Sequence, residues 1–378
     1  MPLLIKDILH LLSDILPLQS AGYEKDAVGL QVGNADGEEL RRVLVAYEIT
    51  DEVIDEAEQV GANLIISYHP LIYPSLTAIT DSTRTGALVQ RLVRSQIALY
   101  VVHTAFDTNQ EFGTSRQMAD ALGLTIPKSL SPLVGLLEKI VVFVPKDSTT
   151  QVQEAMWKTG AGNIGNYDEC SFTVSGEGSF RGGEGTNPAI GKPLVCEKVD
   201  EVRLEMITEK WKTWQIICAM IAAHPYEQVA YDIYPLMNRH PKYGMGTVGV
   251  FPEALSPDDL LKKVRSAFGT TSLRHNGVNH PVKKVALLGG AGMEYYSAAK
   301  AAGAEAFITG DIRYHDFYRA VHDNILLIDA GHAETERFVT QGIMAIMGKV
   351  IESVNLSDEN MKKFVTESRL RPNIVHYY

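Results

Sequence analysis

The sequence predicts an α/β protein made of two α/β halves with parallel-rich sheets, interrupted by a small α+β segment. Three observations carry this. Short apolar runs alternate with helical patterns from residue 42, the same alternation returns after residue 283, and roughly residues 128 to 245 follow a different, glycine-rich pattern. Continuous apolar runs separated by amphipathic helices read as parallel strands buried on both faces. At 378 residues the chain is longer than the ~100 to 200 residues of a typical domain, so more than one packed unit is expected.

The N-terminal stretch MPLLIKDILHLLSDILPL places Leu4, Ile5, Ile8, Leu9, Leu12 and Ile15 at helical spacing, with Asp7 and Asp14 between them, and ends at Pro17. It reads as a packed amphipathic helix, because a signal peptide wants a basic start and an uninterrupted apolar core. The first half then runs RVLVAYEIT, DEVIDEAEQVG, ANLIISYHP, TGALVQRLVRSQ, IALYVVHTAFD and TSRQMADALG. In the middle, KIVVFVPK reads as a strand and TTQVQEAMWKTG as a helix, followed by a glycine-rich stretch from 160 to 193 expected to form long turns. The second half runs KKVALLGGAG, EYYSAAKAAG, AEAFITGD, YHDFYRAVHD, NILLIDAGH and ETERFVTQGIMAIMGKV. The expected boundaries are 1–127, 128–245 and 246–378, with the middle segment inserted into the α/β core.

Composition excludes some functions. Hydrophobic content of 45% with 21% charged residues is ordinary globular composition. A formal net charge of −11 without a basic stripe argues against nucleic acid as a partner, and no apolar run is long enough to span a bilayer. Cys170, Cys196 and Cys218 are too few and too scattered for a disulfide framework or a CxxC metal site, so a reducing, cytoplasmic setting is expected.

Ligands of open parallel sheets bind beyond the carboxyl ends of the strands, so what each apolar run ends on is informative. The runs end on Tyr68 and His69, on His103 and Asp107, on Asp311, and on Asp329 and His332. Histidines and carboxylates are the side chains that hold a divalent metal. In GHAETER, His332 and Glu336 stand at i and i+4, on one face of a helix. Taken alone, each has a plainer reading: a strand-end histidine is usually a hydrogen-bonded loop residue, and an i, i+4 pair is usually a surface contact. Their convergence from four strand ends favours a first shell of His69, Asp107, His332 and Glu336.

DAVGLQVGN (26–34), SYHPLIY (67–73), HTAFDT (103–108), ITGDIRYHD (308–316) and LIDAGHAETE (327–336) together resemble the ordered motifs of the Nif-three-like family, whose bacterial members are called GTP cyclohydrolase 1 type 2 homologues. GAGNIGNYDECSF and AHPYEQVAYDIYPL resemble the inserted PII/CutA-like domain of the longer members. The resemblance implies a Nif-three-like core with a two-metal centre of zinc, iron or manganese, and a homohexamer. It makes His69, Asp107, His332 and Glu336 metal ligands. At the first histidine of the family's His-His-Pro motif this chain has Tyr68. Three outcomes follow: Tyr68 binds as a phenolate, favouring a harder ion such as ferric iron; His103 or His315 substitutes; or one metal binds and Tyr68 lines the pocket.

LLGGAGMEY lacks the spacing of a dinucleotide loop and reads as tight strand-to-helix packing. His224 and Glu227 read as turn residues, and His240 as part of a linker. The functional expectation is a metal-dependent hydrolase acting on a nucleotide-like or phosphorylated small molecule, with Asp107 and Glu336 catalytic and His103, Asp311 and His315 around the pocket. The alternative is a non-catalytic, metal-binding regulatory or scaffold hexamer.

Overall fold

The computed structural model describes residues 3–17, 26–354, 364–370 and 374. Two compact units emerge, one formed by the chain up to Pro132 together with the chain from Lys242 onward, the other by Leu133–Pro241. Along the chain the strands are β1 (Gly29–Val32), β2 (Val43–Ala46), β3 (Leu64–Ser67), β4 (Ala98–Val101), β5 (Thr125–Pro132), β6 (Leu137–Pro145), β7 (Phe172–Arg181), β8 (Cys196–Glu209), β9 (Tyr231–Leu236), β10 (Gly244–Leu255), β11 (Arg274–His275), β12 (Val282–Ala291), β13 (Ala306–Gly310), β14 (Leu326–Asp329) and β15 (Val365–Glu367).

The first sheet has the order β1-β4-β3-β2-β15, parallel except for the antiparallel edge strand β1. Its apolar runs are buried on both faces, as their continuity predicts. Val43, Val45, Leu64 and Ile66 pack on one side with the helices Ile5–Ile15 and Val339–Ser353, while Leu44, Ala46, Ile65 and Leu99 pack on the other with Asp51–Val60 and Arg84–Arg94. The N-terminal helix buries Ile5, Ile8 and Leu12, and its Asp7 carboxylate accepts the Leu4 N–H at 3.0 Å.

The second sheet has the order β11-β14-β13-β12-β10-β5 and is mixed: only β12, β13 and β14 run parallel. Residues 128–132 and 244–245, allotted to the insert on sequence, are strand residues of this sheet, with Gly244 opposite Pro132. The glycine change that signals the insert begins later than the chain's departure from the sheet.

In the inserted unit the order is strand, helix, strand, strand, helix, strand, with all sheet neighbours antiparallel in the order β7-β8-β6-β9. This is the ferredoxin-like arrangement. Ile140, Val142, Leu204 and Met206 form one face of its core against Val152, Met156, Ile217 and Met220 of the two helices. The stretch expected as long turns contains β7, a ten-residue strand despite Gly176 and Gly178. At its ends, the His240 N–H donates to the Leu133 carbonyl at 2.7 Å.

Ile66 lies at the centre of β3 with no exposed surface. Ile66→Ala should lower unfolding free energy by about 2–5 kcal/mol, read from urea denaturation; a change below about 1 kcal/mol would contradict the packing described here.

Candidate metal centre

The carboxyl ends of the parallel strands deliver the side chains. β2 is followed by Tyr47 and Glu48, and β3 by Tyr68 and His69, whose N–H groups extend the ladder to the carbonyls of Ala46 and Tyr47 at 3.0 Å each. Pro70 has no N–H to continue it. β4 leads into the one-turn helix His103–Asp107, β13 into Asp311, and β14 into the helix His332–Thr335 with Glu336 as its C-cap. His103 and Asp311 hold φ of 25° and 55°, in the left-handed region that non-glycine residues avoid.

His69, His332 and Glu336 come together, with one donor atom from each inside a 4.8 Å span. Glu336 is the hub and is only 4% exposed. Its Oε1 lies 3.2 Å from His332 Nε2 and its Oε2 3.5 Å from His69 Nε2. Tyr47 donates its hydroxyl to Oε2 at 2.6 Å. The outer nitrogens are held as well: His332 Nδ1 lies 2.6 Å from Asp311 and His69 Nδ1 3.2 Å from Glu48. Two imidazoles, each held through Nδ1 by a carboxylate so that Nε2 points at a buried third carboxylate, fit a divalent transition metal. Gly290 leaves the room: a Cβ there would stand 2.4 Å from Glu336 Oε1, and its φ of +63° also favours glycine. The glycine loop therefore serves close packing, with Gly289 against Thr114 and Gly292 against Thr309.

Asp107 joins this group through Tyr68. The fully buried Tyr68 hydroxyl lies 3.0 and 2.9 Å from the two Asp107 oxygens and 3.3 Å from Glu336 Oε1. Burial, then the charges of Asp107 and Glu336, push the phenol well above its usual range, so it acts as a neutral donor. Burial and the Glu336 charge raise Asp107 to about 6, against the pull of Thr114, His103 and Tyr68. His103 stacks edge-on against His69 at 5.8 Å between ring centroids, its Nδ1 held by Asp26 at 2.9 Å. His315 is not brought in; it is exposed on the helix Tyr314–His322, its ring against Tyr314.

The group opens on a cavity of about 980 Å³ that also exposes Glu48, Arg84, Arg274 and Asp311. Tyr47, Glu48 and Asp26 are absent from the residues singled out by sequence. The first two follow β2 by the same strand-end rule that finds His69. Asp26 lies in the DAVGLQVGN motif, but its contact with His103 crosses 77 positions and leaves no spacing signal.

The electrostatics turn on Glu336. Burial pushes its pKa up, and the two histidines more than reverse this, holding it at about 2. Burial opposes a charged His69, but hydrogen bonds to Glu336 and Glu48 prevail and lift it to about 9. The bond to Glu336, against burial and aided by Asp311, lifts His332 to about 9 as well. With chelator present, these raised values contribute stability that is complete below the ordinary 6.5 and lost as pH rises through about 9. Ion uptake runs the other way, because it requires neutral imidazoles and releases protons. The melting temperature should therefore fall by several degrees between pH 6.5 and 9 in chelator, while the stabilisation on adding zinc grows over the same interval. Parallel slopes in the two conditions would refute this. Tyr47→Phe, which removes a donor from Glu336, should weaken zinc binding by about 10–100-fold in a chelator-dye competition.

A family profile for Duf34/NIF3 (NGG1p interacting factor 3) matches residues 3–365. A GTP cyclohydrolase 1 type 2 homolog of Halalkalibacterium halodurans is 37% identical over 351 residues, covering 92% of this chain and 91% of its own. That of Bacillus subtilis is 34% identical over 369 residues, 97% of each chain. Among solved structures, a Bacillus cereus protein related to NIF3 superposes with a TM-score of 0.87 at 33% identity over all of both chains, and a Staphylococcus aureus protein with 0.77 at 26% identity over 100% of this chain and 99% of its own. The sequence motifs, the strand-end site and these likenesses agree: the chain belongs to the Duf34/NIF3 family.

Proposed function

We propose that the protein is a metal-dependent hydrolase of nucleotide-like or phosphorylated small molecules. The observation that carries this is the convergence of His69, His332 and Glu336, with the two histidines lining a cavity large enough for such a molecule. In this reading His69, His332 and Glu336 hold the ion, with Asp107 as the further carboxylate donor. A divalent ion there supplies Lewis acidity and lowers the pKa of a bound water from about 15.7 toward about 7.

The chain's own side chains do the rest. Tyr47 and Tyr68 fix Glu336 by hydrogen bonds to different oxygens, so that carboxylate cannot rotate away. Glu48 and Asp311 fix the two imidazoles. Asp107, which shares the Tyr68 hydroxyl with Glu336 and is the more basic of the two carboxylates, is assigned to take a proton from the attacking water. Tyr68, a phenol committed to these two acceptors, favours one ion over two.

A cytoplasmic homohexamer with a PII/CutA-like insert belongs to the same proposal. The ferredoxin-like strand order supports the insert, and three cysteines without disulfides suit the compartment. The second reading, a metal-binding regulatory scaffold, draws on the same insert and on Tyr68 standing where the resemblance places a ligand.

Metal analysis of protein purified without chelators should find about one transition-metal ion per chain, lost in His69→Ala and rising toward about two in Tyr68→His. Hydrolysis of GTP or of a phosphoester panel should track that content. Metal-free wild-type protein would end the hydrolase reading, and full metal with no turnover in either wild type or Tyr68→His would favour the scaffold.

A further inference from the structure

Among the described residues, two arginines line the cavity besides its histidines, one from each half of the core. Arg84 opens the helix Arg84–Arg94 beside the first sheet, and Arg274 lies in β11 at the edge of the second. Both guanidinium groups are anchored through a single terminal nitrogen. Arg84 Nη2 donates to the Ile49 carbonyl, with Glu48 Oε1 3.6 Å away, and Arg274 Nη2 donates to the Ile312 carbonyl at 2.9 Å and pairs with Asp329. A guanidinium carries five N–H donors in a fixed fork. Among the described residues, the bonds these two make use only Nη2, and both side chains are 59% exposed.

The contact of Arg84 with the partly exposed Glu48 contributes little to folding, whereas the carboxylate beneath Arg274 is buried. Anchoring one end of a guanidinium does have a consequence for binding, since it holds the remaining donors in place over the cavity before a ligand arrives. Asp329 is itself held, accepting the N–H groups of Ile312 and Gly331, so Arg274 rests on a rigid support. Guanidinium forks match the oxygens of a tetrahedral dianion. Glu48, Asp311, Asp329 and Glu334 line the same cavity and repel such an anion, Glu48 and Asp329 being partly offset by the two arginines. Binding should therefore strengthen once an ion offsets their charge.

We infer that Arg84 and Arg274 form a two-sided clamp for a phosphate group of the substrate. This rests on the metal-dependent reading above and adds the residues that select the anion. The test is calorimetric titration of zinc-loaded protein with phenylphosphonate, a phosphate mimic that is not hydrolysed, with benzoate as the carboxylate control. Wild type should bind phenylphosphonate more tightly than benzoate. Arg84→Gln and Arg274→Gln should each weaken it about tenfold while zinc content stays unchanged, and Arg→Lys variants should fall between. Unchanged phenylphosphonate binding in both glutamine variants, or benzoate binding equal to phenylphosphonate, overturns the clamp and leaves the metal reading standing. Wild-type protein that takes up no zinc overturns both.

Discussion

Everything at the site is organised around one buried carboxylate. Glu336 is nearly inaccessible to water, and burying an ionised carboxyl without partners costs several kcal/mol or more. Four side chains offset this, namely Tyr47, Tyr68 and His69 from the first sheet and His332 from its own helix. Three of the four come from the ends of β2 and β3, whereas Glu336 follows β14 of the second sheet. The carboxylate therefore ties the two halves of the core at the point where His69 and His332 meet.

The same arrangement explains why tyrosine is tolerated at position 68. A phenol held neutral between Asp107 and Glu336 offers one hydrogen to two carboxylates that would otherwise repel each other across a dry gap. It supplies part of what a cation would supply there, without a charge. Tyr68 also packs edge-on against Phe106 at 6.1 Å, so its ring is fixed by the core and its hydroxyl by the site.

Much of this is legible in the sequence because strand ends are. The continuity of LIIS followed by a proline marks both the strand and its stop, and His332 with Glu336 is visible as a helical spacing. The boundary of the insert is harder to read, because residues 128–132 pair with 244–248 only across the whole inserted unit. β7 is hidden by Gly176 and Gly178, residues that strands usually avoid. The mixed character of the second sheet is hidden too, since β10 has the same apolar texture whichever way it runs.

The His240-to-Leu133 hydrogen bond bears on how the core is assembled. β5 and β10 are neighbours in the sheet but far apart in the chain, and closing a flexible loop of such length costs about 4 kcal/mol of chain entropy. A unit with its own hydrophobic core and its two ends already bonded to each other presents the sheet with what amounts to a short turn. Built this way, the insert carries its own closure, and its length adds little to the cost of pairing β5 with β10.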